Sequence, residues 1–176
     1  MGNDVGGPIE GRRDKQVAAW RGSPRLCYIG GNPARISTDG TDSTPVVTET
    51  YIGELEVSQA LVATGLALMN GSAVAGKVVG ILYSRTGAVV AYTALAGTDQ
   101  AGTDAIQRIP FVTPAKLREG IYYAGFQFNN TSARFNSQVF GNFGAAKKTG
   151  ETFGVPTSIT PPSTFTTNLA PLGGLY

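Results

Sequence analysis

From Val46 onward, short runs of apolar residues are separated by turn-forming residues. The runs are Val46–Val57, Leu61–Met69, Lys77–Ser84, Ala88–Leu95, Ala105–Val112 and Gly120–Asn129. Several short strands at this spacing are typical of an antiparallel sandwich or barrel. With about eight strands expected, the pattern predicts an all-β domain over 46–176. We expect an antiparallel β-sandwich, jelly-roll-like in topology, with an extended C-terminal tail.

Turn signals between the runs refine this expectation. Arg85-Thr86-Gly87 predicts a β-hairpin, because glycine adopts a positive φ at low cost. A single helical turn is expected over 114–119. The proline-rich end of the chain predicts extended backbone, with a terminal strand near 163–169.

The clearest alternation lies in the run that begins at Gly120. Tyr122 and Phe126 fall on one face of the expected strand, and Tyr123 and Gln127 fall on the other. We therefore expect one face of this strand to be wet. A turn at 129–132 followed by renewed alternation predicts a long hairpin over 120–140.

Residues 1–45 show no such pattern, because glycine and proline interrupt every potential helix or strand. The sequence predicts an extended N-terminal arm here. Apolar clusters around Trp20 and over 26–29 exceed what a solvated tail needs. Either the arm docks on a partner, or it folds back and caps its own domain. If it docks, the residues expected to bind are Arg12, Arg13, Lys15, Trp20, Arg21, Arg25 and Tyr28.

Length and composition exclude several classes of protein. The 176 residues suffice for one domain with an arm. Histidine is absent, which excludes Ser-His and Cys-His catalysis and most zinc sites. Cys27 is the single cysteine, so no internal disulfide can form. No apolar run reaches the roughly 20 residues of a membrane span, and the N-terminus lacks the apolar core of a signal peptide. We expect a soluble chain made in a reducing cytosol.

Charge is concentrated near the N-terminus, where residues 1–35 hold six Lys or Arg against three Asp or Glu. This balance predicts an arm that meets an acidic partner surface, with too few charges to indicate nucleic acid. No membrane partner is expected.

Few residues suggest chemistry. Glu54 and Glu56 fall on one strand face, and paired carboxylates about 5 to 9.5 Å apart hydrolyse glycosidic bonds. Two solvated side chains are the simpler interpretation. Cys27 lies between apolar neighbours and is expected to be a packed, inert thiol. We expect no catalytic residue, no cofactor and no metal ion.

A glycan-binding face is the alternative to a purely structural surface. Sugar sites combine aromatic rings with planar polar groups, and the expected 120–140 hairpin offers both. Its residues are Tyr123, Gln127, Arg134, Asn136 and Gln138. The same face could instead meet a neighbouring subunit.

Several stretches resemble small β-sandwich virion proteins of tailed double-stranded DNA bacteriophages, over roughly 46–176. They are Thr48–Ile52, Gly120–Tyr123, Ala133–Asn136, Phe140–Gly144, Thr152–Gly154, Ile159–Thr166 and Leu175-Tyr176. The resemblance implies a structural role in the phage particle and no catalytic residues. Such modules occur in head decoration proteins and in fibres or tail components.

Two functions follow as expectations. The first is a capsid cement or decoration protein, a homotrimer that binds the major capsid protein outside the head and stabilises contacts between capsomers. The second is a tail fibre or receptor-binding component that recognises a host surface glycan. Both place the protein in the virion, assembled in the host cytoplasm. A polysaccharide-degrading enzyme using Glu54 and Glu56 is a third and weaker hypothesis.

Overall fold

A computed structural model describes residues 27–30 and 40–176. All of the regular structure in these ranges is strand. The strands are β1 (Cys27–Tyr28), β2 (Gly40–Ser43), β3 (Glu49–Val57), β4 (Leu61–Met69), β5 (Lys77–Ser84), β6 (Val89–Tyr92), β7 (Thr98–Asp99), β8 (Ile106–Leu117), β9 (Gly120–Phe128), β10 (Phe135–Gln138), β11 (Ala145–Thr149) and β12 (Gly173–Leu175).

The strands form two antiparallel sheets and a two-stranded ribbon. The first sheet has the order β1-β12-β4-β8, and the second has the order β11-β3-β9-β5-β6 with β7 beside β5. Strands β2 and β10 form the ribbon. Eight of these strands can be renumbered 1 to 8 in chain order: β1, β3, β4, β5, β6, β8, β9 and β12. In this numbering the first sheet has the order 1-8-3-6, and the second sheet, without its edge strand β11, has the order 2-7-4-5. This is the strand order of a jelly roll, so the predicted all-β, jelly-roll-like sandwich is confirmed.

The hydrophobic core lies between the two sheets, because each strand directs alternate side chains inward. Leu66 from the first sheet and Phe126 from the second are fully buried there. Tyr51, Phe128 and Phe135 form an aromatic cluster with ring centroids 4.9 to 6.3 Å apart. Phe135 belongs to β10, so this cluster fixes the ribbon to the sandwich.

The two sheets are also joined by single β-bridges at both edges. Ile29, directly after β1, bridges to Leu55 of β3, and Thr93, directly after β6, bridges to Phe111 of β8. The Gly30 amide donates to the Glu54 carbonyl of β3 at 2.8 Å. These bridges reduce the unpaired backbone that sheet edges otherwise present.

A segment without strands, 151–162, lies on the outer face of the second sheet. We call it the cover segment. Its Phe153 and Ile159 pack against side chains of β3, β5 and β9. The Ile159 amide donates to the carbonyl of Gly87, whose φ of +83° confirms the positive-φ turn predicted between β5 and β6. The cover segment therefore converts an outer sheet face into a second apolar cluster.

The predicted wet face of β9 is wrong for this reason. Tyr123 is 6% exposed and Gln127 is 1% exposed. A strand pattern shows which residues share a face, but it does not show that a distant segment will cover that face.

The hairpin predicted over 120–140 is also wrong. Strand β9 pairs with β3 and β5, whereas β10 pairs with β2. Because β9 has a neighbour on both sides, no edge is left for the residues that follow it.

The helical turn predicted over 114–119 is wrong as well. Strand β8 continues to Leu117, and its register with β4 shifts from Ala63 opposite Ala115 to Gly65 opposite Pro110. Residues 111–114 therefore form a large bulge opposite Thr64. A bulge accommodates Pro114, which cannot donate a ladder hydrogen bond.

The terminal strand lies at Gly173–Leu175 and not near 163–169. A β-carbon at Gly173 would lie 2.2 Å from the Ala67 carbonyl oxygen, so the close approach requires glycine.

Two stretches before the predicted domain boundary at residue 45 belong to the sandwich. Strand β1 pairs with β12, strand β2 pairs with β10, and Ile29 is only 3% exposed. For these residues, folding back on the domain is the alternative observed. The remaining parts of the predicted arm, 1–26 and 31–39, lie outside the described residues.

Candidate functional site

The structure describes one of the residues predicted to bind a capsid. Tyr28 lies in β1, at the edge of the first sheet. Burial raises the pKa of its phenol. Arg12, Arg13, Lys15, Trp20, Arg21 and Arg25 lie outside the described residues.

Tyr28 belongs to the solvent-facing side of the first sheet. Its register places it in one row with Gly174, Ala67 and Arg108. The neighbouring row, which contains Leu66, points into the core. We call the outward side of this sheet the open face; it carries Tyr28, Val62, Arg108, Pro110, Lys116 and Tyr176.

Tyr176 is held firmly on the open face. Its amide donates to the Gly65 carbonyl at 3.2 Å, and its carbonyl oxygen accepts from the Thr64 amide at 2.7 Å. The Arg108 guanidinium lies 5.2 Å from the centre of the Tyr176 ring. Burial raises the pKa of the Tyr176 phenol, and the positive charge of Arg108 partly offsets this. The ring and the guanidinium thus form a fixed cation–π pair.

The charged side chains in the strands of the first sheet have one sign. Its strands β1, β4, β8 and β12 contain Arg108 and Lys116 and no aspartate or glutamate. Both cationic side chains are exposed. The open face therefore combines positive charge with apolar and aromatic groups.

The edge of the second sheet holds two lysine–carboxylate pairs. Lys147 Nζ lies 2.7 Å from Glu49 Oε1, and Tyr51 donates its hydroxyl to Glu49 Oε2 at 2.7 Å. Burial is the main cause that raises the pKa of Tyr51, and this hydrogen bond raises it further. The pair ties β11 to β3.

The second pair anchors the cover segment. Lys148 Nζ lies 2.7 Å from Glu151 Oε1, and Thr157 donates to Glu151 Oε2 at 2.7 Å. Lys148 also donates to the Ser158 carbonyl at 3.0 Å. Tyr83 lies beneath this segment, fully buried, and its hydroxyl has no hydrogen-bond partner among the described residues. Burial raises the pKa of Tyr83, with a smaller contribution from the Glu151 charge.

A cluster of buried amides fixes the long connection between β6 and β8. Asn70 Nδ2 donates to the Ala101 carbonyl at 2.6 Å and to Gln107 Oε1 at 3.1 Å. Gln100 Nε2 donates to Asn70 Oδ1 at 2.9 Å. Sequence reasoning did not find this cluster, because its members lie in turns or at strand ends where no periodicity marks them. Their bonds serve the fold.

The structure does not bring the predicted glycan-binding residues to one surface. Tyr123 and Gln127 lie under the cover segment. The pKa of Tyr123 is raised by burial and by Glu54, and lowered by Arg85. Because Tyr123 and Gln127 are buried, a sugar could not reach them.

The other three predicted glycan-binding residues lie in or beside the ribbon and bond within the chain. Gln138 Nε2 donates to the Ile29 carbonyl at 2.9 Å, and Asn136 Nδ2 donates to the Asn70 carbonyl at 2.8 Å. Arg134 donates to Thr44.

Glu54, Glu56 and Cys27 lie near the corner where β1 meets β3. Glu54 Oε2 accepts from the Gly144 amide at 3.1 Å, whereas Glu56 is exposed. Burial raises the pKa of the Cys27 thiol, a hydrogen bond with the Ser58 backbone lowers it, and Glu56 raises it. A raised pKa leaves less thiolate at neutral pH, so the environment favours an unreactive thiol.

Within 27–30 and 40–176, no group of three or more His, Cys, Asp or Glu side chains could hold a metal ion. In the same described ranges, no helix has the length and hydrophobicity that spanning a bilayer requires. Comparison of the chain with protein family models, curated proteins and solved structures finds no match.

Proposed function

We propose that this chain is a structural protein of a tailed-bacteriophage particle, a cement or decoration protein on the outside of the head. It would bind the major capsid protein and stabilise contacts between capsomers. The observation that carries the proposal is the jelly-roll strand order, because jelly rolls recur in viral capsid proteins. Fold alone does not establish function, so the side chains must support it too.

The polar side chains support a structural role. The buried carboxylates Glu49 and Glu151 each pair with a lysine, and both pairs hold strands or the cover segment in place. The amides of Asn70 and Gln100 fix a long connection. These groups make a rigid body, which suits a protein that reinforces a shell.

The basic N-terminal residues supply the second element of a cement protein. Residues 1–26 precede an edge strand of the sandwich and hold five Lys or Arg against three Asp or Glu. Arginine and tryptophan dominate the energetics of many interfaces, and Arg21 and Trp20 belong to this stretch. We propose that this stretch docks on the capsid. Self-association as a homotrimer belongs to the same proposal and is measured by light scattering of the purified chain.

The test is the ratio of this chain to the major capsid protein in purified particles, after heads and tails are separated. A ratio near parity in the head fraction supports a cement role. A few copies in the tail fraction contradict it and favour a fibre component. Absence from both fractions contradicts any virion role.

A further inference from the structure

The two outer faces of the sandwich differ in how they meet solvent. The cover segment buries the part of the outer face of the second sheet that β3, β5 and β9 form, with Phe153 and Ile159 in contact with it. On the same face, Val89 and Tyr92 of β6 are 36% and 38% exposed. The open face of the first sheet has no such layer among the described residues. Val62 on this face is 56% exposed, and Val112 in the adjacent bulge is 63% exposed. A sheet face with aliphatic side chains this exposed is suited to contact another surface.

The charges of the open face indicate the partner's chemistry. Arg108 and Lys116 are its charged side chains, and both are cationic. A surface with one sign of charge attracts the opposite sign and disfavours partners of its own sign. Because Arg108 is already held over the Tyr176 ring, it loses little conformational freedom on binding.

The chain before Cys27 bears on the same question. It joins the body at β1, the edge strand of the open-face sheet, and its 26 residues can span at most roughly 90 Å. Its excess of Lys and Arg makes it a poor occupant of a cationic face. A partner bound by residues 1–26 would instead lie within reach of the open face. One acidic surface on that partner would suit both residues 1–26 and the open face.

We propose that the open face docks on an acidic, partly apolar protein surface. This inference rests on the proposed function in identifying that surface as the outside of the capsid shell. The geometry further predicts that the cover segment points away from the shell, since it lies on the opposite side of the sandwich.

The test uses the purified full chain and purified phage heads that do not carry it, prepared from a phage strain in which the gene for the chain is deleted. Arg108→Glu and Lys116→Glu each reverse one charge on the open face. Arg85→Glu is the matched control, because Arg85 is also exposed but lies in the β5–β6 turn of the other sheet. We expect each open-face variant to bind heads about tenfold more weakly, and the control to bind within about twofold of wild type. Circular dichroism confirms that each variant is folded, and Arg108→Lys should restore most of the binding.

Several results would overturn the inference. One is unchanged head binding by both open-face variants, which would leave the cement role intact but place the contact elsewhere. Another is an equal loss in the Arg85→Glu control. A third is tight binding to duplex DNA, or to phosphatidylcholine–phosphatidylserine vesicles, that the open-face variants abolish.

If the wild-type chain binds no heads, the proposed function fails and the open face is tested separately. A photo-crosslinking residue replaces Val62 in cells that produce the chain. In a control variant it replaces Val155 instead. Adducts formed at Val62 with an Asp- and Glu-rich peptide, and absent at Val155, would still support the acidic protein partner. Adducts at Val155 alone would overturn it.

Discussion

Removing different lengths of the N-terminus should separate attachment from folding. Deletion of residues 1–26 should leave the free energy of unfolding within about 0.5 kcal/mol of wild type, because β1 and Ile29 remain. Deletion of residues 1–35 should lower it by about 3 to 8 kcal/mol. Domains of this size are commonly stable by only about 5 to 15 kcal/mol, so the longer deletion should leave the body marginal.

The magnitude of the second effect follows from the contacts of Ile29. This side chain is 3% exposed, lies against Gly53 and belongs to the core cluster that also contains Ala170. Loss of a buried isoleucine costs about 2 to 5 kcal/mol. The deletion also removes the Ile29 carbonyl that accepts from Gln138 Nε2 in a buried bond. A buried donor left without an acceptor costs about 1 to 3 kcal/mol more.

Urea unfolding followed by far-ultraviolet circular dichroism measures both variants. Tryptophan fluorescence is unsuitable, because Trp20, the single tryptophan, is absent from both. Ile29→Ala in the full chain provides a separate control and should cost about 3 kcal/mol. If the two deletions unfold at the same urea concentration, β1 is not part of the cooperative body and the reasoning fails. Head binding should be lost in the shorter deletion if residues 1–26 carry attachment.

Three further predictions concern buried or half-buried groups. Glu151→Ala should cost about 2 to 4 kcal/mol, since it removes the acceptor of the Thr157 hydroxyl and leaves the Lys148 charge without its carboxylate partner. Asp99→Ala, in an exposed pair, should cost under about 1 kcal/mol by the same urea assay. Tyr83→Phe should be neutral or stabilising in a thermal melt, because the lost hydroxyl is buried without a partner, and a clear loss of stability would reveal a missed bond. Iodoacetamide should modify native Cys27 more slowly at pH 8 than the urea-unfolded chain, because the raised pKa reduces the thiolate, and equal rates would contradict this.

Local signals in the sequence predicted much of the fold. The runs Leu61–Met69 and Lys77–Ser84 became β4 and β5 with the same bounds, because their apolar residues are buried by the partner sheet. The Arg85-Thr86-Gly87 turn was predictable because glycine at a positive φ is a local requirement.

Long-range pairing could not be predicted in the same way. The partner of β10 is β2, which precedes it by more than 90 residues, so no local pattern distinguishes this pairing from a hairpin with β9. The burial of Gln127 likewise depends on the separate cover segment. Its side-chain oxygen accepts a hydrogen bond from the Gly154 amide of that segment at 3.0 Å. Both misses arise because alternation shows which side chains share a face and does not identify what lies opposite.

The site residues likewise differ in whether a local sequence signal or long-range strand pairing reveals them. Tyr28 was selected for its place in an apolar cluster, and the structure places it on an exposed sheet. The charged residues that define the open face, Arg108 and Lys116, were not selected, because their place on one face depends on the register between β4 and β8 across a bulge. Only the three-dimensional pairing shows that these charges lie on one side.

The difference between the two outer faces also has a consequence for engineering. A body that lies on a shell by its open face has one orientation, so every copy turns residues 151–162 toward the surrounding medium. The exposed Val155 in that stretch would then mark the outward pole of each copy. A short peptide epitope inserted beside it would be presented many times over on an intact particle, and antibody labelling would report the orientation of each subunit directly.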